Sequence, residues 1–241
     1  MRHVDGPLLV LAGAGSGKTS VITRKIEHLI SHCGMKPAHI AAVTFTNKAA
    51  REMKERAAAL LKGLPSRGLV VSTFHNLGLR IIGSELDALG LRQGFSIFDG
   101  MDSRALLRDL SEQEGASRDG ADVELLQARL SGWKNDMQTP ARLLQEAASE
   151  EDAACARLYA KYCDALRAYN AVDFDDLILL PVLLFRDNAR ILQRWRDRIR
   201  YLLVDEYQDT NVSQYELVRQ LTAERQALTV VGDDDQSIYA W

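Results

Sequence analysis

No apolar run in the chain is long enough to cross a membrane. The longest, "PLLVLAGAG" and "LILLPVLLF", fall well short of the roughly 18 residues a spanning helix needs. The amino terminus, "MRHVDG", lacks the charged, apolar, small-residue order of a secretory signal, so a cytoplasmic address is expected. Cysteine is scarce too: Cys33, Cys155 and Cys163 are an odd number without framework spacing, which argues against a disulfide scaffold. His28 and His32 share a helical spacing, with Cys33 and His39 nearby, but no second ligand pair follows at zinc-like spacing, and a solvated helix end is the simpler reading. An excess of positive charge is also missing. Thirty Lys and Arg against 33 Asp and Glu leave a net charge of −3, which does not advertise a general nucleic-acid binder. Binding depends on local charge, however, and "RDNARILQRWRDRIR" (186–200) and "NKAAREMKER" (47–56) are basic; each alone reads as a solvated helix face. There is neither an internal repeat nor a low-complexity tract.

What is present is an alternation. Five short, apolar, β-branched segments read as buried strands: "PLLVLAG", "IAAVTFT", "GLVVSTF", "YLLVDE" and "ALTVVGD". The first, second and fourth lead into helical patterns, such as "GKTSVITRKIEHLIS" with Val21, Ile22, Ile26, Leu29 and Ile30 on one face. Strand and helix in alternation predict an α/β fold with a parallel sheet and right-handed crossovers. Ligands of such sheets bind beyond the carboxyl ends of the strands, where the polar clusters fall. Between Phe74 and Phe185 strand-like runs vanish. Amphipathic helical patterns such as "RALLRDLSEQEG", "VELLQARLSGWK" and "DAACARLYAKYCDALRAYN" take over, separated by polar, Gly-containing breaks. We expect a discontinuous nucleotide-binding domain, 1–74 with 186–241, and a helical subdomain inserted at 75–185.

"LAGAGSGKTS" follows a strand and opens a helix, the context a P-loop requires. Gly13, Gly15 and Gly17 let the backbone turn its N–H groups toward a phosphate chain, so the segment Ala12, Gly13, Ala14, Gly15, Ser16, Gly17, Lys18, Thr19 is the expected cradle. Lys18 would reach the β- and γ-phosphates and the Thr19 hydroxyl would hold Mg²⁺. Ala12 stands where the first glycine of the strict pattern is written, a minor departure at the end of the loop far from the phosphates. In "YLLVDEYQD" an apolar strand delivers Asp205 and Glu206, one carboxylate for the metal and its water shell, the next to polarise an attacking water. An acidic strand end alone could as well cap a helix; with the P-loop it reads as an ATPase core with ATP and Mg²⁺.

Six blocks in order, "AGAGSGKT", "TFTNKAAREMKER", "STFHNLGLRII", "DFDDLILLP", "LLVDEYQDTNVSQYELV" and "VVGDDDQSIYAW", closely resemble the Rep/UvrD/PcrA group of superfamily 1 DNA helicases, most of all its Rep branch. The resemblance covers essentially the whole chain from Gly6. It implies a RecA-like ATPase fold, 3′-to-5′ translocation on single-stranded DNA and ATP-driven separation of fork or partial-duplex DNA.

Thr44, Phe45, Thr46 and Asn47 at one strand end, and Ser72, Thr73 and His75 at the next, become candidate DNA contacts. Asn47, or Thr46 before it, can cap a helix whose free N–H groups suit a phosphate. Phe45 can touch a base or pack on the sheet, and His75 can serve the DNA or the core. The segment "DFDD" from Asp173 to Asp176 can cap a helix and complement its dipole, or lie near DNA as the family implies. Gln236 resembles the family's γ-phosphate-sensing glutamine. Tyr239 and Trp241 offer faces for base stacking, or else for core packing.

The family's glutamine-bearing helix before the P-loop strand and its second RecA-like domain are not in this sequence. We therefore expect weak nucleotide binding, slow hydrolysis at best, and no unwinding by this chain alone. A related helicase–nuclease subunit and a non-catalytic DNA-binding remnant are the rival readings. A small-molecule kinase would leave "TFTNKAA" and "DDDQSIYAW" unused.

Overall fold

The computed structural model describes residues 2–13, 17–114 and 120–233. The chain divides into two compact units, one running to Leu77 and resuming at Val182, the other spanning Gly78–Pro181. The first unit holds β1 (Leu8–Leu11), β2 (Ile40–Thr44), β3 (Val70–Thr73), and, late in the chain, two more strands that complete a five-stranded sheet. Two short strands of the second unit intervene, β4 (Ser96–Phe98) and β5 (Ala171–Asp173), so the late pair is β6 (Tyr201–Val204) and β7 (Leu228–Gly232). The large sheet has the order β1-β7-β6-β2-β3 with every pairing parallel.

All five strand-like segments of the sequence are strands of this sheet. Because parallel strands are covered on both faces, they read as apolar runs rather than as alternations. Alternate residues still divide between the faces. Ile40, Ala42, Tyr201, Leu203 and Val231 pack with α1 (Lys18–Ser31) and α2 (Asn47–Leu60) through Ile22, Ile26, Leu29, Met53 and Ala57. The third strand also leads straight into a helix, α3 (Phe74–Ser84), with no loop between.

The second unit is mainly helical: α4 (Leu86–Leu89), α5 (Gly100–Gln113), α6 (Gly120–Asn135), α7 (Pro140–Glu146), α8 (Glu150–Ala168) and the start of α9 (Asp176–Asp187). Its core joins α5, α6 and α8 through Leu107, Val123, Leu126, Leu130, Tyr159 and Tyr162. The sequence reading allowed no strand here, yet β4 and β5 pair in parallel. Three residues per strand are too few for periodicity to register against flanking helical patterns.

Both boundaries of the unit fall inside helices, α3 and α9, so no linker marks them in sequence. Within the unit the start of α9 and the tail of α3 meet closely. Pro181 has no N–H, so the Leu177 carbonyl four residues earlier loses its helical donor. A Cβ on Gly78 would lie 1.7 Å from that carbonyl oxygen. Only glycine lets the two backbones approach this far.

After Asn188 the first unit continues as α10 (Ala189–Arg198) and α11 (Val212–Thr222), the latter packing on β6. Among the described residues no helix is long and apolar enough to cross a membrane.

Candidate functional site

Lys18 opens α1 directly after Gly17, which turns the chain with a left-handed φ of 87°. Only 8% exposed, its ammonium donates to Glu206 Oε2 at 2.8 Å, with Asp233 Oδ2 at 3.7 Å. Asp205 and Glu206 follow β6, and Asp233 follows β7, so the parallel sheet brings all of them to one end of the strands beside the first helix. Ala12 N–H donates to Gly232 O at 3.1 Å, carrying the β1 ladder one residue past the strand toward Gly13. Thr19 is half-buried in the first turn of α1. Ala14, Gly15, Ser16, Gln236, Tyr239 and Trp241 lie outside the described residues.

The electrostatics divide the two adjacent carboxylates. Asp205 is 4% exposed; burial, and then the charge of Glu206, push its carboxyl up to about 6. Because that value lies above the ordinary 3.8, ionising Asp205 costs stability, and the cost builds as pH rises from 3.8 to about 6. Burial would raise Glu206 as well, but hydrogen bonds from Gln208 and Lys18, with the Lys18 charge, leave it lowered. Burial likewise works against the Lys18 cation; the Glu206 hydrogen bond and charge, then Asp233 and Asp205, raise its pKa regardless. The result is an ionised Lys18–Glu206 pair beside a carboxylate that titrates far closer to neutrality. Glu206 also takes φ 50°, a left-handed backbone that a non-glycine residue rarely adopts and that concentrates at working sites.

Gln208 holds this arrangement together and was not singled out from the sequence. Its Nε2 donates to Glu206 Oε2 at 2.9 Å and to Asp209 Oδ2 at 3.2 Å, while its Oε1 accepts the Asp233 N–H at 3.1 Å. One amide thus ties the Glu206 carboxylate to the backbone that leaves β7.

A second group forms at the ends of β2 and β3. Thr46 Oγ1 accepts the Ala49 N–H at 3.1 Å, so Thr46 is the cap and Asn47 the first residue of α2. Thr73 Oγ1 accepts the Asn76 N–H at 3.2 Å, and Ser72 Oγ donates to the Thr73 carbonyl at 3.2 Å. Asn76, also overlooked in the sequence, donates through Nδ2 to Asn47 Oδ1 at 3.0 Å and links the starts of α2 and α3. Thr44 is buried, whereas Phe45 meets Phe74 edge to face with centroids 5.6 Å apart and stays partly exposed. Burial takes His75 down to about 4, so its ring is neutral at neutral pH. Two helix starts with their partial positive charge therefore lie side by side.

In the second unit Asp173 and Asp176 of "DFDDL" do start a helix. Asp173 Oδ1 accepts the Asp176 N–H at 2.9 Å, and Lys134 Nζ lies 2.6 Å from Asp173 Oδ2 and 2.7 Å from Asp176 Oδ1.

Comparison with known proteins covers the full length. The profile of the UvrD/REP helicase N-terminal domain matches residues 1–241. The chain is 57% identical over 244 residues to the ATP-dependent DNA helicase Rep of Escherichia coli (strain K12), a match that takes in 100% of this chain and 36% of that protein. It is 43% identical over 241 residues to the ATP-dependent DNA helicase PcrA of Leuconostoc citreum, with 100% of this chain and 32% of that protein covered. Against PcrA of Staphylococcus aureus (strain NCTC 8325 / PS 47) the identity is 39% over 241 residues, 100% of this chain and 33% of that protein. The chain thus spans about a third of the length of these curated relatives.

Proposed function

The chain belongs to the UvrD/REP helicase family, and we propose that it is the ATP-binding part of a motor that moves 3′ to 5′ along single-stranded DNA and separates duplexes. The observation that carries this reading is the convergence of Lys18, Asp205, Glu206 and Asp233 at the strand ends, cross-tied by Gln208. In this reading Lys18 binds the β- and γ-phosphates, and Glu206, kept ionised by its partners, accepts the proton of the attacking water. The unit that contains β1–β3, β6 and β7 is the nucleotide-binding domain, discontinuous around the inserted helical one. A cytoplasmic location goes with such a substrate.

Mg²⁺ fits the donor set. Among the described residues no three His, Cys, Asp or Glu side chains could hold a metal ion by themselves. Mg²⁺ suits a thinner site, because it is commonly held by one or two carboxylates together with substrate phosphates. Asp205 and the Thr19 hydroxyl would hold it, and its charge would offset that of the phosphates. A cation there competes with the Asp205 proton, so MgATP affinity should climb as pH rises through about 6 and then level off. Calorimetric titrations from about pH 5 to about pH 7.5 read this out, and Asp205→Asn should leave only the dependence of the nucleotide itself. An identical pH profile in Asp205→Asn removes Asp205 from the cation site.

For DNA, the capped starts of α2 and α3 offer Thr46, Asn47, Ser72 and Asn76 to phosphates, and Phe45 an edge to a base, while Thr73, buried, acts as the cap of α3. Gln236, Tyr239 and Trp241 are proposed to sense the γ-phosphate and stack bases, joining the two ligands. The direct test is fluorescence anisotropy of a labelled oligothymidylate with the chain, with and without Mg²⁺ and a non-hydrolysable ATP analogue. Single-strand binding that responds to the nucleotide is expected, together with weaker binding by the Asn47→Ala/Asn76→Ala variant. A chain that binds neither ligand would sink the reading.

A further inference from the structure

Positive charge gathers along α10 and reaches the other end of the same sheet, where the strands begin. α10 buries Ile191 and Trp195. Its outer side carries Arg190, Arg194 and Arg198 at four-residue spacing, all exposed. Four helical residues advance about 6 Å, so the three guanidinium groups form a ladder about 12 Å long on one face.

The foot of the ladder is extended by neighbouring chain. His39 Nδ1 lies 3.2 Å from the Arg198 carbonyl, the Arg200 N–H donates to the His39 carbonyl at 2.8 Å, and the His39 N–H donates to the Lys36 carbonyl at 2.9 Å. Lys36 and Arg200, both exposed, therefore join Arg198 just before β2 and β6 begin.

Four of these cations carry charge that no described carboxylate answers with an ion pair. Among the described residues Lys36, Arg190, Arg198 and Arg200 make no ion pair, and the bordering Glu224 and Asp197 are each held at 2.6 Å, by Arg196 and Arg225. The whole chain has a net charge of −3, so the patch is a local concentration against an acidic background. Arg198 lies 4.9 Å over the Trp195 ring, which orients the guanidinium plane and leaves its N–H edge for an acceptor.

We propose that this face is a second nucleic-acid contact, gripping the phosphodiester backbone of duplex DNA. Its foot, at Arg198, Arg200 and Lys36, is separated by the length of the strands from the residues at their carboxyl ends. A row of guanidinium groups on a rigid helix suits a regular row of phosphates. Single strands are held largely by base stacking, and the aromatic ring of this face, Trp195, is 2% exposed and already covered by Arg198. Recognition is therefore of the backbone and independent of sequence. The inference rests on the reading of the chain as part of a DNA motor, and it adds a hold on the duplex to the grip on the single strand.

The test measures anisotropy of a labelled random-sequence duplex and of an oligothymidylate, across a salt series, with the full chain. Variants are Arg190→Glu/Arg198→Glu/Arg200→Glu and the milder triple change to Gln, each checked by circular dichroism and nucleotide binding. Expected is a duplex affinity at least about tenfold lower, and a log–log salt slope shallower by about 2–3, since each phosphate no longer neutralised takes about 0.9 from it. Oligothymidylate affinity should stay as in the wild type. Unchanged duplex binding in both variants, with single-strand binding intact, overturns the proposal and leaves the motor reading standing. Loss of polyglutamate binding in place of duplex binding overturns it in favour of an acidic protein partner. A wild-type chain that binds neither DNA overturns both.

Discussion

Lys18→Ala is expected to weaken MgATP binding by roughly 2–5 kcal/mol, which is about thirtyfold to several thousandfold in Kd. Two effects add. The ammonium touches phosphate directly in the proposed complex, and it also screens Glu206 at 2.8 Å and Asp233 at 3.7 Å. Without it, those carboxylates face a polyanionic ligand at close range, in a site where Lys18 itself was only 8% exposed and solvent screening is weak. The second effect can be isolated. Glu206→Gln in the Lys18→Ala background removes one repelling charge and should recover part of the affinity, whereas Glu206→Gln alone frees Lys18 from its partner and should not weaken binding. Calorimetry on the three variants decides it: a Kd for Lys18→Ala within about threefold of wild type would take Lys18 out of the phosphate site.

The residues of that site were unevenly legible in the sequence. Lys18, Asp205 and Glu206 announce themselves because local spacing carries their chemistry: glycines before the lysine, and an apolar strand before the acids. Gln208 has no such signature. Its role depends on β6 and β7 being neighbours, so that an amide two residues past Glu206 can reach the Asp233 N–H, 25 residues away in sequence. Asn76 is hidden for the same reason, since its partner Asn47 is 29 residues earlier and meets it only when β2 and β3 pair.

The choice between Thr46 and Asn47 as helix cap was beyond composition, because both are good capping types; backbone geometry decides it for Thr46. At the scale of the fold, the five sheet strands were readable because burial on both faces makes them uniformly apolar. β4 and β5 were not, because three residues give no period. The basic run 186–200 reads in sequence as a solvated face; in the structure one side of α10 is core, and only the arginine side is open.

The second large effect is expected in the helical unit, where Lys134→Ala should cost about 3–5 kcal/mol. Lys134 is 1% exposed and answers two carboxylates, Asp173 at 2.6 Å and Asp176 at 2.7 Å, with the Tyr162 ring 5.3 Å beneath its ammonium. Tyr162 OH donates to Asp173 Oδ2 at 3.0 Å and Ser103 Oγ lies 3.0 Å from it, so the pair sits in a satisfied network. Burial opposes the Lys134 cation, but the charges of Asp176 and Asp173 outweigh it and raise its pKa well above 10.5. Its stabilisation therefore fades at high pH only as pH rises through the higher folded value, and at low pH it weakens as Asp176, pushed up to about 6 by burial, takes up a proton.

Truncation leaves two facing carboxylates buried without a counter-charge. They are separated from Lys134 by 39 and 42 residues, so the substitution also unties α6 from the start of α9. Urea titration of the far-ultraviolet signal should show the deficit at neutral pH and a smaller one under mild acid, where a carboxylate takes up a proton in place of the missing charge. Lys134→Met combined with Asp173→Asn and Asp176→Asn should recover much of the stability, because an uncharged buried site carries no desolvated ion. If Lys134→Ala unfolds within about 1 kcal/mol of the wild type, the cluster is no more than a surface pair in strength, and its burial does not matter.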